Sequence, residues 1–496
     1  MSTGSNIDPI RSYLLSPHYS LLVAHNVPFP PRGRNEAIAL DSQSGYNKKL
    51  PHTTSKRHED LMDTRKVYIE TYGCQMNLAD TELLLGLLKP HGYEPTQVAA
   101  QADVILLNTC AIREHAEEKV MRRLGNLVRY KAQRPGVLLG LMGCMAQHHR
   151  EKLLDKAPFL DLVLGPDAYH NLPVLLAQED KDEPLVAVRL DRDETYADIS
   201  PVRAEGVRAW VTAMRGCDKF CTFCIVPYVR GRERSVPLDA LLEQVRELAA
   251  QGYKEVVYLG QTVNAYHDGD CDFSDLLRRT AAIEGIERIR FTSPHPSDMS
   301  ERVIEAMATC PKVAPYLHLP LQAASNRVLE RMERGYTVEQ YAALVERLRA
   351  AVPGLALSTD IIVGFPGEEE ADFRATYDFM AEIHYDSAFM FKYSAREGTK
   401  AYKWGETLSE EEKGRRLQEI IALQERISGE LNRQTIGQTV EVLVEGPAKR
   451  QKGWLAGKSG QFKTVVFPGN SARPGDLVPV LVVSATAHTL VGEARR

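Results

Sequence analysis

Three cysteines lie close together in one short segment, and their spacing is the strongest chemical signal in the sequence. They are Cys217, Cys221 and Cys224, in the pattern C-x3-C-x2-C. Thiolates are soft ligands, so each can hold one iron of a cubane iron–sulfur cluster and leave the fourth iron without a cysteine. An open metal position can bind a substrate. The segment therefore predicts a reactive cluster, although a zinc site or buried thiols would use the same residue type.

A second set of three cysteines recurs at nearly equal intervals. Cys74, Cys110 and Cys144 each follow a strand-like run, and helical segments separate the runs. The runs span residues 66–72, 103–109 and 137–142. Strands that alternate with helices predict a parallel sheet, in which ligands gather beyond the carboxyl ends of the strands. We therefore expect these thiols to converge on a second site. The alternative is three small buried apolar residues.

The residues around both sets resemble the radical S-adenosylmethionine (SAM) superfamily. Its signature is the C-x3-C-x2-C loop with an aromatic residue before the last cysteine, here Phe223. The segments 72–77, 108–114 and 143–147 look like the three cysteine motifs of the methylthiotransferases, in particular those that modify isopentenyladenosine in tRNA. The resemblance implies two 4Fe-4S clusters. One is held by Cys217, Cys221 and Cys224, and an auxiliary one by Cys74, Cys110 and Cys144.

The central part of the chain contains six strand-like runs with helical segments between them. They span residues 209–214, 254–259, 288–293, 316–319, 355–363 and 387–393. Six βα units are too few for a closed eight-stranded barrel. The resemblance implies a partial (β/α)6 barrel, similar to a TIM barrel.

Polar residues interrupt these apolar runs at the strand ends, where barrels of this kind carry their functional groups. These residues are Gln261, Asn264, Ser293, Gln322 and Asp360. We expect SAM to contact them and Phe223, although turns at strand ends would use the same residue types.

The last segment of the chain changes character. Residues 439–445 alternate with period two, and Gly and Pro turns separate later β-rich runs, so a small antiparallel β-barrel is predicted. Residues 434–496 carry eight Lys or Arg against four Asp or Glu. The segment resembles the TRAM domain, an RNA-binding barrel. We expect it to bind tRNA, with residues 449–452 beside Trp454, unless these basic residues are only a solvated turn.

Three arginines after the cluster loop allow two interpretations. Arg230, Arg232 and Arg234 could extend an RNA-binding track or pair with nearby acids.

Composition and length limit the remaining possibilities. The 496 residues carry a net charge of −5, with 44% hydrophobic and 26% charged residues. We expect an α/β protein of about three domains. No apolar run approaches the ~18 residues of a membrane helix, and the start of the chain lacks an export signal. Eight cysteines in such a chain indicate metal ligation in a reducing cytoplasm.

The predicted organisation has five parts. We expect a disordered extension at 1–64, an N-terminal α/β domain at 65–180, a linker at 181–205, a radical SAM domain at 206–432 and the RNA-binding barrel at 433–496.

These patterns lead to a mechanistic hypothesis. The open iron at Cys217, Cys221 and Cys224 binds SAM, and one electron cleaves SAM to a 5′-deoxyadenosyl radical. A radical is needed because the C–H bond at adenine C2 is too weakly acidic for a general base. The auxiliary cluster supplies sulfur, and a second SAM supplies the methyl group. The resemblance implies a 2-methylthio group on tRNA isopentenyladenosine, whose base leaves its stack to react.

The same hypothesis includes partners and competing functions. We expect a low-potential electron donor such as flavodoxin or ferredoxin, no membrane, and a monomer. Alternative substrates are threonylcarbamoyladenosine in tRNA and an aspartate of a ribosomal protein. An alternative of another class is a non-catalytic RNA-binding protein stabilised by iron–sulfur or zinc.

Overall fold

A computed structural model describes residues 64–111, 114–178, 183–203, 206–469 and 471–495. Apart from Thr64, the predicted disordered extension lies outside these residues. Among the helices of the described ranges, none combines the length and the hydropathy of a membrane-spanning segment.

The N-terminal domain is built on a six-stranded parallel sheet in the order β2-β1-β3-β4-β5-β6. Its strands are β1 (Arg65–Tyr72), β2 (Tyr93–Pro95), β3 (Val104–Thr109), β4 (Leu138–Gly143), β5 (Leu162–Leu164) and β6 (Leu185–Ala187). Its helices are α1 (Gln75–Leu88), α2 (Glu114–Gln133), α3 (Cys144–His149), α4 (Lys152–Lys156) and α5 (Leu172–Ala177). Every residue of β3 is buried, as expected for a central parallel strand covered on both faces.

Strand β6 lies inside the segment that the sequence predicted to be a linker. It pairs in parallel with β5 and forms the edge of the sheet. Further along, Tyr196 is 4% exposed and packs in the core beneath α1 and α5. This segment is therefore part of the N-terminal domain. Its short apolar stretch forms the edge strand, but the charged residues on either side gave it the composition of a linker.

The central domain has the predicted partial (β/α)6 barrel. Its main strands are β7 (Arg208–Thr212), β10 (Glu255–Leu259), β13 (Arg288–Phe291), β14 (Tyr316–His318), β15 (Ala356–Val363) and β16 (Ser387–Lys392). They form two parallel three-stranded sheets, β7-β10-β13 and β14-β15-β16, and a parallel bridge between Ile289 and Val313 continues one sheet toward the other. Two small antiparallel ribbons are formed by β8 (Met214–Arg215) with β9 (Arg234–Ser235), and by β11 (His267–Asp268) with β12 (Cys271–Asp272).

Eight helices surround this barrel. They are α6 (Val226–Arg230), α7 (Leu238–Ala250), α8 (Phe273–Ala281), α9 (Glu301–Thr309), α10 (Asn326–Arg331), α11 (Val338–Ala351), α12 (Glu370–Ile383) and α13 (Glu410–Arg433). Apolar side chains at helical spacing decide which face of each helix is buried. In α7, Leu241, Val245 and Leu248 lie on that face and are each at most 1% exposed.

The C-terminal segment closes into a five-stranded barrel in the order β17-β18-β19-β21-β20. Its strands are β17 (Thr439–Pro447), β18 (Trp454–Ser459), β19 (Thr464–Pro468), β20 (Leu477–Ala485) and β21 (Thr489–Ala494). The predicted barrel is confirmed, and one pair adds a detail: β19 and β21 run parallel, whereas the other neighbouring pairs are antiparallel.

A buried carboxylate anchors the C-terminal barrel to the amino ends of the central strands. Glu255 is fully buried and pairs with Arg208, with Arg290 at 2.9 Å and with Arg288 at 3.8 Å. Arg290 also donates hydrogen bonds to the carbonyl oxygens of Ser459 and Gly460 in the β18–β19 turn, at 2.7 and 2.8 Å. The carboxylate therefore orients the arginines that hold this turn.

We expect Glu255→Gln to loosen this contact. The substitution leaves buried arginines without their counter-charge, which costs about 3–5 kcal/mol of the free energy of unfolding. A lower melting temperature and faster proteolytic release of the C-terminal barrel would show it. Glu441→Gln is the control, because the Glu441 side chain is 63% exposed in its 3.3 Å pair with Arg288 and should cost less than about 1 kcal/mol. Equal effects of the two substitutions would contradict the prediction.

Candidate functional site

The loop that carries Cys217, Cys221 and Cys224 is fixed by backbone constraints. It joins β8 to α6. Gly216 has φ +78°, and a Cβ there would lie 1.9 Å from the carbonyl oxygen of Arg232, so only glycine fits. Thr222 donates a hydrogen bond from its amide to the carbonyl oxygen of Met332 at 3.0 Å. These contacts fix the conformation of the loop.

The three thiols of this loop lie within electrostatic reach of one another. Cys217 and Cys221 are buried, and burial together with the neighbouring Cys221 raises the pKa of Cys224 to about 12. Cys217 Sγ lies 3.1 Å from Thr262 Oγ1, and Arg334 donates a hydrogen bond to Cys221 Sγ at 3.2 Å. No disulfide joins cysteines in the described part of the chain. Three soft ligands with hydrogen-bond donors to sulfur fit an iron–sulfur cluster, whose binding would displace the thiol protons.

The structure also brings Cys74, Cys110 and Cys144 together at the carboxyl ends of β1, β3 and β4. A Cβ on Gly73 would lie 2.7 Å from Cys110 Cβ, which shows how closely the first two turns approach. A hydrogen bond from Cys110, opposed by burial and supported by Arg230, lowers the pKa of Cys74 to about 6. Burial raises the pKa of Cys144. This set therefore also offers three converging sulfur ligands.

Helix α6 lies between the two sets of cysteines. Cys144 packs with Ile225 and Val229, and Ile225 directly follows Cys224 in the chain. Arg230, the last residue of α6, donates a hydrogen bond to Cys144 Sγ at 3.2 Å. The two sets therefore lie on neighbouring surfaces across the boundary between the N-terminal and central domains.

A buried network of ion pairs lies at this boundary. Its central residue, Asp80, was not predicted from the sequence. Asp80 on α1 is fully buried and pairs with Arg215 at 2.9 Å and with Arg230 at 2.8 Å. Burial opposes ionisation of Asp80, but the two guanidinium groups outweigh it and hold its pKa below the ordinary value. The available signal was a pair of acidic residues, Asp80 and Glu82, on a largely apolar helix.

The three arginines after the cluster loop pair with acids. Arg230 binds Asp80, and Arg234 binds Asp167 at 2.8 Å, with both guanidinium groups buried. Arg232 is exposed and binds Asp218 at 2.6 Å. Arg230 and Arg234 are therefore not part of an exposed RNA-binding track.

The predicted SAM contacts occupy different environments. The Oε1 atom of Gln261 is buried and has no hydrogen-bond partner among the described residues, so it can accept one from a ligand. Asn264 instead uses its amide group locally: it donates to the His295 carbonyl oxygen at 2.9 Å and accepts from the His295 amide at 2.8 Å. Phe223 packs edge-to-face on Phe365, with ring centroids 6.3 Å apart.

Of the other three predicted contacts, Ser293 and Gln322 follow the ends of β13 and β14, whereas Asp360 lies within β15 and not at its end as predicted. Ser293 and Gln322 have positive φ values of 58° and 76°. The amide of Gln322 donates to the Asp360 carbonyl oxygen at 2.8 Å, which joins β15 to the segment after β14. The carboxylate of Asp360 lies 3.5 Å from His318 Nε2. The barrel thus gathers Gln322 and Asp360, while each keeps a structural role.

His295 is a further polar residue beside the cluster loop. It is 6% exposed, and its Nε2 atom is buried without a hydrogen-bond partner in the described residues. Burial, with the charges of Arg334 and Lys219, lowers the pKa of His295 to about 2, so the ring is neutral. The run from Pro294 to Pro296, which holds the histidine between two prolines, was the signal for a fixed position.

Three family models match successive parts of the chain. Residues 66–165 match the model described as "Uncharacterized protein family UPF0004", residues 211–380 match the radical SAM superfamily, and residues 433–494 match the TRAM domain.

Similar proteins cover nearly the same length. A tRNA-2-methylthio-N(6)-dimethylallyladenosine synthase of Chlorobium limicola is 45% identical over 437 residues, which is 87% of this chain and 98% of the relative. A protein of the same name from Bacteroides thetaiotaomicron is 44% identical over 439 residues, 87% of this chain and 96% of the relative.

A solved structure with a similar fold is that of a radical SAM methyltransferase. The radical SAM methyltransferase TsrM of Kitasatospora setae, with cobalamin and a [4Fe-4S] cluster bound, has a TM-score of 0.50 at 14% identity, covering 68% of this chain and 77% of that one. At this identity the likeness concerns the fold alone.

Proposed function

The chain belongs to the tRNA-2-methylthio-N(6)-dimethylallyladenosine synthase family of radical SAM enzymes, and on that basis we propose that it attaches a 2-methylthio group to N6-dimethylallyladenosine in tRNA. N6-dimethylallyladenosine is the same nucleoside as the isopentenyladenosine that was predicted from the sequence. The relatives' shared name favours it over threonylcarbamoyladenosine and over a ribosomal-protein aspartate.

The observation that carries the proposal is the position of two three-cysteine sets on either side of α6. Cys217, Cys221 and Cys224 would hold a 4Fe-4S cluster, and Cys74, Cys110 and Cys144 would hold an auxiliary one. When bound, these clusters and SAM supply the electron, the radical chemistry and the sulfur that the reaction requires.

The side chains of the protein prepare these two sites. Arg334 and Arg230 each donate a hydrogen bond to a cysteine sulfur, one in each set. Such hydrogen bonds stabilise negative charge on sulfur and orient the ligand. Gln261, with its unpartnered Oε1 atom, is the best placed of the predicted SAM contacts to accept a hydrogen bond from the SAM amine. Phe223, Asn264, Ser293, Gln322 and Asp360 would complete the SAM site around it.

The proposal extends to partners and stoichiometry. Two SAM molecules serve each turnover, one as radical source and one as methyl donor, and a low-potential protein such as flavodoxin or ferredoxin supplies the electron. The TRAM domain suggests RNA binding, so tRNA would contact the C-terminal barrel. The chain would act as a monomer in the cytoplasm.

Mass analysis of tRNA nucleosides tests the proposed reaction. Cells that lack the protein should contain N6-dimethylallyladenosine without its 2-methylthio derivative, and restoring the gene should restore the derivative. If the 2-methylthio nucleoside persists without the protein, the proposed function is wrong. Loss of a threonylcarbamoyl derivative instead would reassign the substrate.

We expect Gly216→Ala to remove one cluster. A Cβ at this position would overlap the Arg232 carbonyl oxygen, and φ +78° disfavours any side chain, so the three-cysteine loop cannot keep its conformation. Iron should fall from about eight to about four per chain. The control is Gly269→Ala, at a positive φ with nothing within 4 Å of the added Cβ. Full iron content in Gly216→Ala would contradict the prediction.

A further inference from the structure

A group of metal-ligating side chains lies beside the N-terminal domain, outside both sets of cysteines. It consists of Glu117 on α2 with His148 and His149 at the end of α3, and one ligand atom of each lies within 4.8 Å of the other two. Helix α3 begins at Cys144, so the group lies about one helical turn from a proposed cluster ligand.

The ring of His148 is held in the form that a metal ion requires. Its Nε2 atom lies 2.9 Å from the carbonyl oxygen of Glu397, and because a carbonyl oxygen only accepts, this nitrogen must carry the proton. The neutral ring then has its lone pair on Nδ1. That atom is buried and has no hydrogen-bond partner among the described residues. Metal-binding histidines usually donate their second ring N–H to a carbonyl or carboxylate in this way.

The remaining two ligands are already in contact. His149 Nε2 lies 2.9 Å from Glu117 Oε2. Burial opposes ionisation of Glu117, but the hydrogen bond from His149 and the charges of His149 and Arg396 outweigh it and lower its pKa. In a tetrahedral zinc site, nitrogen and oxygen ligands lie about 3.3 Å apart. A zinc ion would therefore replace the shared proton with only a small movement of these side chains.

We propose that Glu117, His148 and His149 bind a divalent zinc ion, with water at the fourth position. Two imidazoles and one carboxylate suit Zn²⁺, whereas Mg²⁺ and Ca²⁺ prefer oxygen ligands. The site differs from both cysteine sets in its ligands and in its position.

The ion would strengthen a contact between two domains. Glu397 belongs to the segment that follows β16 of the central domain, and its side chain also pairs with Lys152 of the N-terminal domain at 3.2 Å. A zinc ion on His148 would polarise the ring and strengthen its hydrogen bond to the Glu397 carbonyl oxygen. The site thus fixes the end of α3 against the central domain.

Zinc binding can be measured on the enzyme with both cysteine sets loaded with iron and sulfide. Equilibrium dialysis against ZnSO₄ should find one zinc per chain, and X-ray absorption at the zinc edge should show only nitrogen and oxygen neighbours at about 2.0–2.1 Å. Sulfur neighbours at about 2.3 Å, or no bound zinc, would overturn the proposal without any variant. The tRNA nucleoside result does not affect this measurement.

Substitutions locate the bound ion. His148→Gln, His149→Gln and Glu117→Gln should each weaken zinc binding at least about tenfold while iron content stays unchanged. The matched control is His170→Gln. His170 lies 3.4 Å from both Glu194 and Asp198, but that group offers a single imidazole and its Asp198 is exposed. Unchanged zinc affinity in all three site variants, or equal loss in the control, would refute the assignment.

Discussion

Replacing Cys217 with alanine should abolish SAM cleavage, whereas replacing Cys74 with alanine should preserve cleavage and abolish methylthio transfer. The reason is the separation of the two sets: Cys217 belongs to the loop between β8 and α6, and Cys74 follows β1 in another domain. The measurements are 5′-deoxyadenosine release under reducing conditions and mass detection of the 2-methylthio nucleoside. Each variant should also retain about four irons per chain.

The control for these substitutions is a cysteine outside both sets. Cys271 is in the β12 ribbon and accepts a hydrogen bond from Arg279 at 3.4 Å, far in sequence from either loop. Cys271→Ala should leave both activities unchanged. If Cys74→Ala abolished SAM cleavage while Cys217→Ala retained it, the assignment of the two sets would be reversed.

Sequence patterns predicted that the cysteines of each set would converge, because each thiol follows a local signal. Cys110 follows a strand that begins with an apolar run, residues 104–107, and Cys217 lies in a loop with recognisable spacing. Parallel-sheet geometry then brings distant strand ends together, so convergence followed from topology. The six strands of the central barrel were predicted for a similar reason, since each is a distinct strand-like run between helical segments.

Residues that act through tertiary pairing were not predictable in this way. Asp80 looks like an ordinary polar position of α1 until α6 and β8 bring two arginines against it. Asn264 has the expected position at a strand end, but its amide is used by the backbone of His295. Likewise, nothing local to β6 showed that it would pair with β5. These features depend on which surfaces of the folded chain come into contact. The local patterns of a single sequence do not specify those contacts.

The charge balance around Asp80 suggests why Arg230 contacts a cysteine. Asp80, Arg215 and Arg230 are all at most 3% exposed, so one buried carboxylate faces two buried guanidinium groups. Arg215 also lies over the ring of Tyr196, at 4.7 Å, which partly stabilises its charge. The remaining positive charge belongs to Arg230, whose Nε–H points to Cys144 Sγ. A thiolate at Cys144, formed when a cluster binds, would supply the missing negative charge.

This balance predicts opposite behaviour for two substitutions. Asp80→Asn leaves both arginines without a counter-charge and should lower the free energy of unfolding by about 3–5 kcal/mol. Arg230→Met leaves the Asp80–Arg215 pair intact, so the stability of the metal-free protein should change much less. The same variant should lose iron from the auxiliary site, because Cys144 no longer has a cation beside it.

Urea midpoints of the metal-free proteins and iron content after reconstitution measure the two effects. The lowered pKa of Asp80 adds a pH test: its contribution is fully present above the unfolded pKa of about 3.9 and is lost as the pH falls through the lower folded value. The difference between wild type and Asp80→Asn should therefore shrink in acid. If Arg230→Met were as unstable as Asp80→Asn yet kept full iron, Arg230 would serve only the ion pair, and Cys144 would need no cation to bind the cluster.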